Sequence, residues 1–354
     1  MSSLYINFPD VFDLNFKGKF ESAILTEIDL RFNEIEEKLV DSIYIKSPNN
    51  YLLSSNFLES LISRLNNYFF FSNKLEITLE LDIQSIKIKN LEGISKTKVN
   101  RLSCRTSSLF YNNSLGEKLY DLFFKNIDLI SNFYKNYSID LIFGIPNLPN
   151  ESLDKFLNKL NKNVISHVTL EEYNYIPNDN SIKKKSFNKN LIVDQYNFCC
   201  EKLFECGFEQ YEYLNFAKNG NYSKQNLNYW SRKPYLGFGP SACSYFKESR
   251  SVNFSDTNDY LLEINKLQKP LYREYLSEKD IYNETIMTGL SISKGLSILV
   301  IRKKFKSFDP YFQGKVKKHL GLGNLYLEKN FIKVNREHKY FTDKIASDFF
   351  KIKD

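Results

Sequence analysis

The stretch LYINFPDVFDLNFKGKF, Leu4 to Phe20, decides how the chain begins. Its first half, Leu4 to Phe8, is a short apolar run closed by a proline at Pro9, which reads as a buried strand and its exit. From Phe20 the period changes: Phe20, Ile24, Ile28, Ile35 and Leu39 recur at helical spacing and form one apolar stripe. A strand followed by a helix that packs back on it is the unit of a parallel sheet. The next strand candidates, Ser42 to Ile45, Leu75 to Asp82, Arg101 to Cys104, Ile139 to Phe143 and Ile165 to Leu170, continue the alternation. Six such units give the expected fold: α/β, a partial (β/α)6 TIM-like barrel.

From about Asn253 the pattern turns to helices, including Glu278 to Ser293 and Tyr311 to Lys318. A strand pair, NFIKVN and HKYFT, and a closing helix from Asp343 to Phe350 follow. The spacing predicts a barrel over residues 1–252 and a helical, winged-helix-like region over 253–354.

The 354 residues carry a net charge of +7, with Lys, Asn, Ile, Phe and Tyr abundant and Gly, Ala and Pro sparse. That bias is what an AT-rich coding sequence produces, so the lysine excess alone does not point to nucleic acid. Basic runs such as Ile182 to Lys185 and Ile301 to Lys304 are short and dispersed, as on a solvated surface. No basic segment leads into an apolar stretch at the amino end, and the greasiest runs, Tyr68 to Phe71 and Leu296 to Ile301, fall far short of the about 20 apolar residues that span a bilayer. The expectation is a cytoplasmic protein without a transmembrane segment, in which peripheral membrane contact stays open. Cys104, Cys199, Cys200, Cys206 and Cys243 form no metal or disulfide framework by spacing, and they read as reduced, mostly buried thiols. Asp140, set among apolar neighbours in IDLIFGIP, and Glu80, late in LEITLELD, are carboxylates near strand ends, where barrels place ligand-binding groups.

The segment SKQNLNYWSRKPYLGFGPSACSYF, Ser223 to Phe246, resembles the HemW heme chaperone family, related to oxygen-independent coproporphyrinogen III oxidase in the radical SAM superfamily. LYINFP, LEITLELD, VNRLSC, IDLIFGIP, GFEQYEYLNFAKNG and YFTDKIASDFF resemble further segments of that family in the same order. The resemblance implies a [4Fe-4S] cluster held by three thiolates spaced C-x3-C-x2-C, with S-adenosylmethionine on the open iron. Here those positions are Val11, Asn15 and Gly18. The glycine-rich loop of the family becomes KSPNN, Lys46 to Asn50, its glutamine after the fourth strand becomes Ser107, and an arginine becomes Glu117. Tyr5, Glu80 and Asp140 match positions that line the cofactor and read as retained architecture. Cluster and S-adenosylmethionine are therefore expected of the family and expected to be absent here.

The resemblance also implies heme. The family's HNxNYW motif reads QNLNYW, so Gln225 stands where a histidine would, while Asn226, Tyr229 and Trp230 remain. Cys243 replaces a second histidine in GFGPSAC and is a candidate thiolate ligand, with a small buried thiol as the plainer reading. His167 matches a family histidine at the end of the barrel associated with stability; His319 and His338 fall in the carboxyl-terminal region, and none has a partner at metal-ligand spacing. The leading expectation is a heme chaperone acting by binding, with a heme-accepting respiratory protein as its partner, no nucleic acid, and radical chemistry lost. Acid–base chemistry by Glu80 and Asp140, a nucleic-acid adaptor or a relic scaffold are the alternatives.

Overall fold

The computed structural model describes residues 1–10, 16–47, 53–106, 117–146, 148–161, 165–173 and 189–352. Val11, Asn15, Pro48 to Asn50 and Ser107 lie outside the described residues, as does the run Ile182 to Lys185.

Six strands, β1 (Ser2–Asn7), β2 (Leu39–Lys46), β3 (Phe70–Asp82), β4 (Arg101–Arg105), β5 (Tyr137–Phe143) and β6 (His167–Glu172), lie side by side in chain order, each parallel to the last. Between them run α1 (Lys17–Arg31), α2 (Ser55–Asn66), α3 (Ile88–Ser95), α4 (Glu117–Phe133) and α5 (Asn150–Asn161). After α6 (Lys189–Glu205), the short β7 (Glu209–Gln210) and β8 (Asn215–Ala217) extend the sheet beyond β6. The chain then crosses through α7 (Lys224–Trp230) to the other side, where β9 (Tyr235–Phe238) runs parallel to β1. The antiparallel strands β10 (Cys243–Phe246), β11 (Ser249–Asn253) and β12 (Leu271–Tyr275) complete a twelve-stranded sheet, with α8 (Thr257–Asn265) between the last two.

Alternation along the strands sorts the side chains. Ile6, Ile43, Ile45, Ile77, Leu79, Leu81, Leu102, Ile139, Leu141 and Leu170 point to the helical layer and are fully buried with α1 to α6. Their neighbours on the concave face are polar: Ser42, Tyr44, Glu76, Glu80, Arg101, Ser103, Arg105, Ser138, Asp140, His167 and Thr169. A parallel barrel that served only stability would fill this space with branched aliphatic residues.

The helical stripe ends earlier than its spacing predicts. α1 stops at Arg31, Phe32–Glu34 make a 3-10 turn, and Leu39 opens β2 and is exposed. The Arg31 guanidinium reaches forward to Glu34 and back to Glu27, fixing that break.

A second hydrophobic cluster begins at Ile281. It is built from α9 (Glu278–Ser291), β13 (Leu296–Ser297), α10 (Ile298–Lys304), α11 (Asp309–Gly321), β14 (Leu325–Glu328), β15 (Phe331–Val334) and α12 (Thr342–Asp348). Three helices followed by a hairpin, with a three-stranded sheet in the order β13-β15-β14, is the arrangement of a winged helix. One strand assignment changes. NFIKVN pairs with the preceding LYLE, and HKYFT belongs to a 3-10 turn, Arg336–Phe341, and the start of α12. The tight turn at Lys329, which adopts a positive φ of 56°, returns β14 onto β15.

Candidate functional site

The concave face holds two groups of functional side chains. The first occupies the upper barrel, toward the carboxyl ends of the strands. Tyr44 on β2 donates to the Glu80 carboxylate on β3 at 2.6 Å, and the Arg105 guanidinium on β4 lies 2.6 Å from the same carboxylate. Arg105 also donates to the Ser47 carbonyl at 3.0 Å. Tyr5 stacks on Tyr44 with ring centroids 5.9 Å apart, and its phenol is pushed up by burial and by the neighbouring Glu80. Asp140 on β5 bonds to Thr169 on β6; burial, then the nearby Glu80 and Glu171, raise its carboxyl to about 8, so it holds a proton at neutral pH. The structure thus brings Tyr5, Glu80 and Asp140 into one neighbourhood. Arg105 and Tyr44, the partners that occupy Glu80, were not singled out in the sequence, although their alternate spacing with Ser103 and Ser42 marks them as inward-facing.

The second group surrounds α7 at the amino ends of the strands. Ser223 caps this helix by accepting from the Asn226 amide. Glu76 from β3 accepts from the Lys224 amide at 3.0 Å, placing a carboxylate against the helix start. Gln225 accepts from Ser42 Oγ at 2.5 Å, and Asn228 donates to Asp41 at 2.8 Å. Gln225 and Asn228 therefore face the barrel base, where the Gln225 side-chain amide nitrogen is left without a partner among the described residues. Asn226, Tyr229 and Trp230 project from the other face of the helix and line a cavity of about 400 Å³.

The remaining walls of this cavity come from Asn215, Tyr235, Tyr245, and Glu284, Met287 and Thr288 of α9, with Arg232 and Arg250 at its edge. Arg232 donates to the Tyr245 hydroxyl and to Glu284, each at 2.8 Å, and Arg250 reaches Glu284 at 3.1 Å. Tyr229 and Tyr235 meet edge to face at 4.6 Å. The result is an aromatic, largely apolar chamber whose two guanidiniums are both paired with the lining carboxylate of Glu284. Cys243 does not line it. It lies on β10, exposed, with its thiol raised by burial of its sulfur.

The GFGPSAC segment has a structural reason for its glycines. A Cβ on Gly237 would fall on the Cys243 carbonyl, and one on Gly239, at φ +95°, on the Asn7 carbonyl. Beneath it lies a wholly buried ionic hub that sequence reading missed. Arg31 pairs with Glu27 at 2.5 Å and donates to the Gly237 carbonyl and to Asn253 at 2.9 Å. Glu27 accepts from Tyr260 and from the Gly239 amide at 2.7 Å each.

His167 opens β6, is buried and bonds to the Tyr211 hydroxyl at 2.7 Å; burial holds it neutral. Cys104 and Cys243 sit on β4 and β10, Cys199 and Cys200 on α6 and Cys206 just past its end, and among the described residues no three His, Cys, Asp or Glu side chains converge as metal ligands. Burial raises the thiols of all five. Among the described residues no three of these thiols come together as an iron–sulfur cluster would require. No described helix is long and apolar enough to cross a membrane.

No protein-family model matches the chain. Its sequence is similar to the heme chaperone HemW of Lactococcus lactis subsp. lactis (strain IL1403), 24% identical over 334 residues, covering 89% of this chain and 86% of that protein. HemW of Bacillus subtilis (strain 168) is 24% identical over 382 residues and covers 99% of both. HemW of Buchnera aphidicola subsp. Schizaphis graminum is 24% identical over 348 residues, covering 92% and 88%. Among solved structures, the coproporphyrinogen III oxidase HemN from Escherichia coli, a radical SAM enzyme, superposes with a TM-score of 0.81 at 18% identity, over 98% of this chain and 89% of that one. The chain is HemW-like in sequence over nearly its whole length, and its fold is that of the coproporphyrinogen III oxidase HemN.

Proposed function

We propose that the protein is a HemW-like heme chaperone that works by binding heme, without radical chemistry. The observation that carries this reading is the near full-length similarity to proteins named heme chaperone HemW. The aromatic chamber on α7 gives that similarity a place to act. Tyr229, Trp230, Tyr235 and Tyr245 offer stacking surface to a porphyrin, and its carboxylates would have to compete with Glu284 for Arg232 and Arg250.

Loss of the cluster belongs to the same proposal. Val11, Asn15 and Gly18 supply no thiolate, and the Glu80 carboxylate is held by Arg105 and Tyr44. Without the cluster no electron reaches S-adenosylmethionine, so the barrel is a frame. A separate acid–base enzyme is not favoured, because Glu80 is engaged in an ion pair and Asp140 bonds to Thr169. Delivery to a heme-accepting respiratory protein is the use such binding would have.

The test is a heme titration of wild type and Trp230→Ala by Soret absorption. Saturable binding that weakens in the variant supports the reading. Absence of saturable binding by the wild type refutes it.

A further inference from the structure

The carboxyl-terminal region contains a second cavity, of about 600 Å³, between α11, the 3-10 turn Arg336–Phe341 and α12. Two of the three histidines in the chain, His319 and His338, face it, although they stand apart in sequence. His319 is buried and spends both ring nitrogens, on Asp348 at 3.0 Å and on Asn324 at 2.9 Å. His338 is half-buried, and among the described residues its ring has no bonding partner.

The rest of the wall is bipartite. Phe341, Ile345 and Leu322 are its apolar part, Leu322 being 60% exposed, and Asn324 and Ser347 add neutral polar groups. Lys318 and Lys344 stand on the same wall. Asp348, the carboxylate here, is already neutralised by Lys315 at 2.9 Å, Lys318 at 2.8 Å and His319, which hold it far below the ordinary carboxylate range. The Lys344 ammonium has no ion-pair partner among the described residues.

Charge distribution points the same way. Residues 278–354 carry sixteen Lys and Arg against nine Asp and Glu, so the whole net charge of +7 resides in this region. An apolar wall, unpaired cationic charge and one free imidazole match three properties of an iron porphyrin: a greasy face, anionic carboxylates and a metal that takes a nitrogen ligand.

We propose that the cavity between α11 and α12 binds an iron porphyrin, with His338 as axial ligand and Lys344 beside its carboxylates. The proposal rests on the heme-binding reading above and concerns a second cavity, lined by none of the residues of the α7 chamber.

The experiment titrates the full chain with hemin and, separately, with metal-free protoporphyrin IX, in wild type, His338→Ala and Trp230→Ala, with thermal melts to verify folding. In His338→Ala, hemin affinity should fall by about tenfold or more, the scale on which even outer partners of a metal ligand register. Metal-free protoporphyrin should bind that variant as it binds wild type, and added imidazole should restore the nitrogen-ligated Soret spectrum. Unchanged hemin affinity and spectrum in folded His338→Ala, with loss in Trp230→Ala, would overturn this site and leave heme binding at α7 standing. Equal loss of both porphyrins without imidazole rescue would also overturn it, since the histidine would then only shape the wall. Wild type that binds no hemin would refute this site and the chaperone reading together.

Discussion

Arg105 on β4 lies 2.6 Å from Glu80 on β3, across two strands that are paired in register just below it, Glu80 opposite Ser103. Both side chains are only 13% exposed, so the pair is shielded more than a surface bridge, and removing either partner would leave the other charge largely desolvated. The carboxylate that would face a cofactor is thereby satisfied by the protein itself. Calorimetric titration with S-adenosylmethionine should give no binding heat, and reduction with dithionite should release no 5′-deoxyadenosine. Stoichiometric binding would show that the pair opens for a ligand.

Asp140 links the barrel interior to pH. Its carboxyl is raised from 3.8 to about 8, so between those values the folded protein keeps a proton that the unfolded chain gives up. Fewer protons on the unfolded state means that stability declines as pH rises through this window, by at most about 1.4 kcal/mol per unit for one group. Asp140→Asn should flatten that decline. Denaturant midpoints at pH 5 and pH 8 measure it, and a wild type that gains stability toward pH 8 in step with the variant would contradict the assignment.

The Glu27–Arg31 hub should be the most sensitive polar element of the fold. Arg31→Ala leaves Glu27 buried and unpaired, which costs about 3–5 kcal/mol. The expected result in denaturant melts is a variant with most of its stability lost, while Lys247→Ala, on a surface bridge to Glu36, changes little.

Gly239 sits at φ +95° with the Asn7 carbonyl where a Cβ would be. Gly239→Ala should cost about 1–3 kcal/mol from backbone strain alone, plus displacement of β9 from β1. Gly18→Ala, in helix α1 at a site open around the Cβ, is the control that should leave the melting temperature unchanged or raise it.

Much of this architecture is written in period and motif. The six parallel strands are readable because their helix-facing residues, largely Ile and Leu, recur at alternate positions, and the strand-ending Gly144 carries a positive φ of 77°. Ile35 and Leu39 continue the helical spacing of α1 by coincidence; Arg31 at the break pairs with its chain neighbours Glu27 and Glu34, and only tertiary structure adds Asn253. HKYFT has strand-like residues, but Tyr340 is drawn into packing against Phe143 and Tyr196 of the barrel. The α7 motif was legible as a unit, yet its split into a barrel-facing side, Gln225 and Asn228, and a cavity-facing side, Asn226, Tyr229 and Trp230, follows from docking on Ser42 and Asp41. The convergence of His319 and His338 could not be read from spacing, because a hairpin separates them.

The central claim is heme binding by a protein without an iron–sulfur cluster. It is tested most directly by anaerobic purification followed by hemin titration on one sample, reading the Soret band, the broad iron–sulfur absorption, and iron and acid-labile sulfide content together. The account predicts a saturable Soret shift with neither cluster absorption nor sulfide. Stoichiometric sulfide with cluster absorption, or a sample whose Soret band does not saturate, would contradict it.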